Sequence, residues 1–161
     1  MIPHATASAN ILRHVETGTL IQGGWHRRRG GVELACLLGS IDPSVKTTQD
    51  CNAELMPLWL AETSLVLFDG LPRGSIGPVA RRYGTLIAQW HVLVPIRWDA
   101  ILMRFLIRAI DDAVDAARPT NERKDYWPAV EAACVQTKEA ITSGGQAADW
   151  AAAVASCASL A

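Results

Sequence analysis

Between Pro95 and Pro119 the chain contains neither proline nor glycine, the longest such stretch it has. Both residues interrupt helices, proline by lacking an N–H and glycine by its backbone freedom. The interval therefore predicts the longest helix, Arg97 to Arg118. Ile101, Leu102, Phe105, Leu106, Ala109, Ile110 and Ala113 recur at three- and four-residue steps, and Met103 and Ile107 widen that apolar face. So broad a face predicts a central position. Arg104, Arg108, Asp111, Asp115 and Arg118 form the opposite stripe. Pro119 is expected to stop the helix, with Thr120 to Asp125 as a polar linker.

Shorter segments lie on either side. Ala7 to Glu16 predicts a first helix, with Ser8 as its cap, Ile11, Leu12 and Val15 as its apolar stripe, and Gly18 as its end. Gly23-Gly24 and Gly30-Gly31 bracket Trp25-His26-Arg27-Arg28-Arg29. Glycine pairs supply the positive φ of tight turns, so this segment reads as a small hairpin or excursion. Val32 to Leu38 fits a buried strand or a buried helical turn, and periodicity does not separate them. Pro43 to Asn52 reads as loop. Leu58 to Phe68 reads as helix, Leu71 to Gly77 as connector, and Pro78 opens a helix carrying Val79, Tyr83, Leu86, Ile87 and Trp90.

Near the C-terminus Trp127 and Cys134, then Trp150 and Cys157, repeat a seven-residue spacing. Seven residues is two helical turns, so each pair shares a face. The expected fold is mainly α: a compact bundle of about six to seven helices with a small N-terminal β-hairpin. It reads as one domain over 1–161. Within it, 1–52 holds the first helix, hairpin and loop, 53–118 the helical core, and 119–161 a C-terminal helical pair.

Of the 161 residues, 50% are hydrophobic and 19% charged, which is ordinary globular composition and argues against disorder. Net charge is −1, so no global field draws nucleic acid or an anionic membrane. Residues 1–110 hold 11 basic and 8 acidic side chains, and residues 111–161 hold 4 and 8, so the tail is mildly acidic. The N-terminal residues lack the basic-then-apolar pattern of a signal peptide. No apolar run reaches the ~18 residues that span a bilayer. A soluble, cytoplasmic protein with reduced cysteines is expected.

Several strings then resemble a known pattern. They are Ile21-Gln22-Gly23-Gly24-Trp25-His26, Ala35-Cys36-Leu37-Leu38-Gly39, Asp50-Cys51-Asn52 with Leu55-Met56-Pro57-Leu58-Trp59-Leu60-Ala61, and Leu67-Phe68-Asp69-Gly70-Leu71. Trp90-His91-Val92-Leu93 and Asp125-Tyr126-Trp127-Pro128-Ala129-Val130 join them. Together they resemble a family of small uncharacterised proteins from phages and prophages of proteobacteria, with Trp/Ala-rich helical tails. The resemblance implies a mobile-element setting, in which small compact proteins inhibit or regulate host systems. It transfers no catalytic residue.

Three constellations could carry chemistry. Asp111, Asp112 and Asp115 form a D-D-x-x-D string of the kind that holds Mg²⁺ against a diphosphate. The string resembles the first metal motif of isoprenoid synthases, but the second acidic motif and the length of those enzymes are lacking. Arg108 stands four residues before Asp112, so a self-neutralised helix face is the better reading. Cys36, Cys51, Cys134 and Cys157 lack the close pairing of a zinc site, with or without His26 and His91. Cys36 or Cys51 with His26 or His91 would make a nucleophile pair only beside an electropositive, accessible surface. Core packing is the better reading for Cys36, Cys134 and Cys157, and Cys51 has no assigned place.

The third constellation is Trp25, His26, Arg27, Arg28 and Arg29, the expected partner-binding residues. Adjacent guanidiniums grip carboxylate, phosphate or an acidic protein surface, and tryptophan anchors interfaces. Three arginines are a small footprint for nucleic acid, which is an unexpected partner. Gly70 to Gly77 precedes a helix N-terminus with Arg73, Arg81 and Arg82 nearby, but no Gly-Lys-Ser/Thr follows, so it reads as a plain connector. The function expected is a non-enzymatic protein-binding module, a phage- or prophage-encoded inhibitor or regulator of a host protein, of anti-defence type. The competing expectation is a small enzyme using the Asp cluster with metal, or a Cys/His pair. No cofactor and no membrane partner are expected, and the C-terminal helices offer a homodimer surface.

Overall fold

The computed structural model describes residues 2–93 and 95–144. The chain divides into two compact units, 1–94 and 95–161, so the boundary falls inside the segment expected to form one helical core. The first unit contains α1 (His4–Glu16), a hairpin of β1 (His26–Arg29) and β2 (Val32–Ala35), α2 (Leu58–Asp69) and α3 (Ile76–Ile87). Short 3₁₀ turns cover Thr48–Asp50, Arg73–Ser75 and Trp90–Val92. The second unit contains α4 (Pro95–Asn121) and α5 (Trp127–Thr142). The fold is thus mainly helical with one small antiparallel sheet.

Among the described residues there are five α-helices, fewer than the six to seven expected. The difference has two sources. Val32 to Leu38 is β2 followed by a turn, and the second Trp–Cys segment, Trp150 to Cys157, lies outside the described residues.

α1 starts earlier than expected. Pro3, with φ −62°, is its N-cap, and Ser8 is buried within the helix instead of capping it. Proline's fixed φ suits a helix entrance, so the turn before Ala7 is already helical. The other end follows the sequence. Gly18 takes φ 64°, the Thr19 N–H donates to the His14 carbonyl at 3.0 Å, and the Gly18 N–H donates to Val15 at 3.3 Å. This is a Schellman ending, which uses the positive φ that glycine adopts without cost. α1 packs on α3 through Gly84, where a Cβ would stand 3.1 Å from Ile11 Cγ2. Pro78 falls inside the first turn of α3, where its missing N–H has no helical partner to lose.

The centre of this unit is the turn 36–41 that follows β2. Cys36, Leu37, Leu38 and Ile41 are at most 2% exposed, and they pack with Ile11, Met56, Phe68 and Ile87. A buried turn must find partners for its backbone groups. The Ser40 N–H donates to Cys36, Ser40 Oγ donates to Leu37, and Asn10 Nδ2 reaches from α1 to the Ile41 carbonyl at 2.8 Å. Cys51, unplaced by the sequence, is buried in the same cluster.

In the second unit α5 buries Trp127, Ala133, Thr137 and Ile141, four positions on one stripe. α4 departs from expectation. None of its described side chains is buried, and Ile101 and Phe105 are each 37% exposed, so a central place does not follow from its broad apolar face. In its unit the one other described helix is α5. Nor does Pro119 stop α4, which continues to Asn121. The Thr120 hydroxyl and the Asn121 amide both donate to the Ala117 carbonyl, supporting the last turn.

A Cβ at position 39 would run into the backbone carbonyl of Trp25 and stand 3.2 Å from the His26 ring. Gly39→Ala is expected to lower unfolding free energy by about 1–3 kcal/mol, as overpacking of a tight core does. Urea melts followed by circular dichroism check this. An unchanged midpoint would show that the turn can move aside.

Candidate functional site

Two glycines make the hairpin. Gly30 and Gly31 have φ of 58° and 82°, the paired positive values of the two-residue turn that matches strand twist. A two-residue loop fixes register: Arg29 faces Val32, Arg28 faces Glu33, Arg27 faces Leu34 and His26 faces Ala35. Side chains alternate, so the faces differ. Arg27 and Arg29 share one with Val32 and Leu34. Arg28 shares the other with Glu33, His26 and Ala35.

Arg27, Arg28 and Arg29 are exposed, and among the described residues none of them forms an ion pair. His26, Arg27, Arg28 and Glu33 line a shallow cleft of about 330 Å³. Trp25 and His26 differ from the arginines in their setting. Trp25 is half-buried against the core, and its carbonyl accepts from the Cys36 N–H at 3.0 Å. His26 Nε2 lies 2.8 Å from the Val45 carbonyl. A carbonyl only accepts, so Nε2 carries the proton. Nδ1, the other ring nitrogen, is buried without a hydrogen-bond partner. Glu33 Oε1 stands 3.6 Å away, too far for a hydrogen bond.

The root of the hairpin is tied down on three sides. Gln22 Nε2 donates to the Phe68, Asp69 and Leu71 carbonyls at 2.8, 3.2 and 2.9 Å. Phe68 and Asp69 are the last residues of α2 and Leu71 follows its C-cap, a region where helix carbonyls lack their full set of intrahelical partners. The Gly23 N–H donates to Asp69 Oδ1 at 3.1 Å. On β2's outer side, the Ala35 N–H donates to Thr19 at 3.1 Å and the Ile21 N–H to Ala35 at 2.9 Å. Thr19 in turn belongs to a network at the end of α1. The Thr17 hydroxyl donates to Arg13, which leaves Thr19 Oγ1 to donate to Thr17 Oγ1 at 2.8 Å. His14 Nδ1, 2.7 Å from Thr19 Oγ1, is therefore the donor there. Burial holds the His14 pKa below its ordinary value, with Arg13 adding to the effect.

The other constellations occupy different settings. Lys138 Nζ from α5 donates to Asp111 Oδ1 at 2.7 Å, and Arg108 pairs with Asp112 at 2.8 Å. Arg118 adds a further bond between the helices, to Glu131 at 3.0 Å. Asp111 thus links α4 to α5. Among the described residues no group of three His, Cys, Asp or Glu side chains is placed to hold a metal ion. Cys36 and Cys51 are buried, and burial pushes both thiols up, Cys51 to about 11. A nucleophilic thiol needs the opposite shift. His91 Nδ1 is 2.9 Å from the Ala88 carbonyl, and its ring meets His4 edge-on with centroids 6.1 Å apart. Arg73, Arg81 and Arg82 are exposed around an ordinary connector. Cys134 is half-buried and Trp127 buried on α5, while Trp150 and Cys157 lie outside the described residues.

Sequence reasoning missed Gln22, Glu33 and Gly39 as parts of this site. Glu33 was within reach, because a two-residue turn at Gly30-Gly31 sets it opposite Arg28. No family model, curated protein or solved structure matches the chain. Among the described residues no helix is long and apolar enough to cross a membrane.

The His14 network carries a pH signature. A histidine whose pKa is lowered by folding binds its proton more tightly in the unfolded chain, so stability rises with pH. Its contribution is complete above the ordinary value of 6.5 and is lost as pH falls below it toward the folded value. The melting temperature is expected to drop between pH 7 and pH 5, and His14→Gln to flatten that part of the profile. An identical slope in the variant would assign the pH dependence elsewhere.

Proposed function

We propose that this chain is a protein-binding module that grips an acidic surface of its partner through Arg27, Arg28 and Arg29. One observation carries the reading: three adjacent guanidiniums stand exposed and, among the described residues, without ion pairs, on a hairpin whose root is fastened to the core. Exposed arginines are ordinarily mobile and lose entropy on binding. Here the backbone that carries them is held by Gln22, Asp69 and the Ala35 bridge, so only the side chains remain to be ordered. Fixed guanidinium forks match carboxylates two bonds at a time. With Trp25 and His26 half-buried at the root, the contact surface centres on the arginines. The small basic footprint and the net charge of −1 favour protein over nucleic acid. The finer reading, supported by the sequence resemblance, is a phage- or prophage-encoded inhibitor or regulator of a host protein.

Affinity capture from a proteobacterial host lysate tests this, with the native chain beside a variant carrying Arg27→Glu, Arg28→Glu and Arg29→Glu. The native chain is expected to retain a partner that is released by moderate salt and absent from the variant. Exposed substitutions of this kind change stability by only about 0.5 kcal/mol each, so the variant's thermal melt stays close to native. Recovery of the same partner on the folded variant would refute the arginine surface.

A further inference from the structure

We infer that the outer edge of β1 accepts an extended acidic peptide as a third strand, with acidic side chains at alternate positions set against Arg27 and Arg29. The inference rests on the proposed arginine surface and specifies how that surface is read.

The backbone supplies the first half of the case. Ala35 directs its backbone groups outward, away from β1: its N–H donates to the Thr19 carbonyl and its C=O accepts from the Ile21 N–H. In an antiparallel ladder directly opposed residues share the same direction, and the pattern alternates along the strand. His26, opposite Ala35, therefore also directs its backbone groups outward, and so does Arg28 two residues on. The two sides of the hairpin are unequal. At its root β2's edge is occupied by Thr19–Ile21, whereas among the described residues β1 pairs with β2 alone. β1 thus presents an open donor and acceptor at Arg28, framed by inward-bonded Arg27 and Arg29.

The side chains supply the second half. A free edge invites any strand, and charged residues limit which strand can use it. Two copies of β1 edge to edge would oppose arginine to arginine, which disfavours self-pairing. Arg28 has Glu33 opposite it, but Arg27 and Arg29 have only Leu34 and Val32, the latter 50% exposed. The face with no acidic neighbour therefore has two guanidiniums two residues apart. A strand laid alongside would meet them with side chains at i and i+2, and acidic ones there form two favourable cross-strand pairs. Main-chain bonds at Arg28 supply the attachment and the alternate acids supply the selection, as in other strand-addition interfaces.

The experiment uses the full chain and two capped heptapeptides of equal composition. One is Thr-Val-Glu-Val-Glu-Val-Thr, with acids at alternate positions, and the other is Thr-Val-Glu-Glu-Val-Val-Thr. Backbone amide shifts and hydrogen exchange are followed during titration. The alternating peptide is expected to bind several-fold more tightly and to slow exchange of the outward Arg28 amide, with little change at the inward Arg27 and Arg29 amides. Arg28→Pro removes that N–H at an edge position where proline is tolerated, and Arg28→Ala removes the same charge but keeps it. The proline variant is expected to bind several-fold more weakly than the alanine variant. Equal binding of both peptides, an unprotected Arg28 amide, or equal affinity of the two folded variants would overturn strand addition. The amide readout decides the matter if the proline variant does not fold. Loss of strand addition with partner capture still abolished by charge reversal would leave side-chain recognition standing. Capture that survives charge reversal would remove the arginine surface itself.

Discussion

The backbone of Trp25 passes so close to Gly39 that no side chain fits between them, and the rest of the first unit depends on that approach. It brings the buried turn 36–41 under the root of the hairpin, where the Cys36 N–H reaches the Trp25 carbonyl. The same approach leaves room for the His26 ring beside Gly39, where it reaches the Val45 carbonyl. Close backbone contact of this kind converts a hairpin, marginal alone in water, into a fixed projection. Gln22 adds a second restraint by satisfying the end of α2, so a hydrogen-bonding need of the helix also orients the strands. Two strings distant in sequence, at 21–26 and 67–71, are thereby joined.

Much of this was legible in the sequence where the chemistry is local. Gly18 announces the end of α1, Pro57 and Gly70 bracket α2, and the glycine pair at 30–31 dictates a two-residue turn and hence the register. The proline- and glycine-free interval from 96 to 118 produces the longest helix for the same local reason. These signals depend on φ preferences and on missing N–H groups, which act within a few residues. The exposed arginines follow too, because a short turn carries its flanking residues into solvent.

What was not legible depends on contacts between distant residues. Asp111 resembles a metal ligand until Lys138, 27 positions later, is placed against it by the packing of α5 on α4. His26 reads as a free tip residue until the fold sets the Val45 carbonyl 2.8 Å from its ring. Cys51 had no assignment because its loop has no period, yet it belongs to the core. The breadth of α4's apolar face predicted a centre, but breadth measures only what a helix can bury. Burial also needs a neighbour, and among the described residues α4 packs on α5 alone in its unit, leaving its side chains half-exposed. Pro119 illustrates the same limit at smaller scale, since side chains of the two following residues sustain the turn it weakens.

The distribution of charge partners connects fold to function. On α4 and α5, Asp111, Asp112 and Glu131 are matched with Lys138, Arg108 and Arg118 at 2.7 to 3.0 Å. Such exposed pairs contribute modestly to stability. On β1 the opposite holds, with three like charges in sequence and one glutamate opposite the middle arginine. Alternation limits the cost by turning neighbouring guanidiniums to opposite faces, and solvent screens what repulsion remains. No folding requirement in this hairpin calls for arginine at all three positions, because the turn and the root anchors already fix it. An acidic strand would find two guanidiniums on one side, a third on the other and an open amide between them. That combination distinguishes an acidic strand from an acidic patch, since a patch can use the charges but has no use for the free edge.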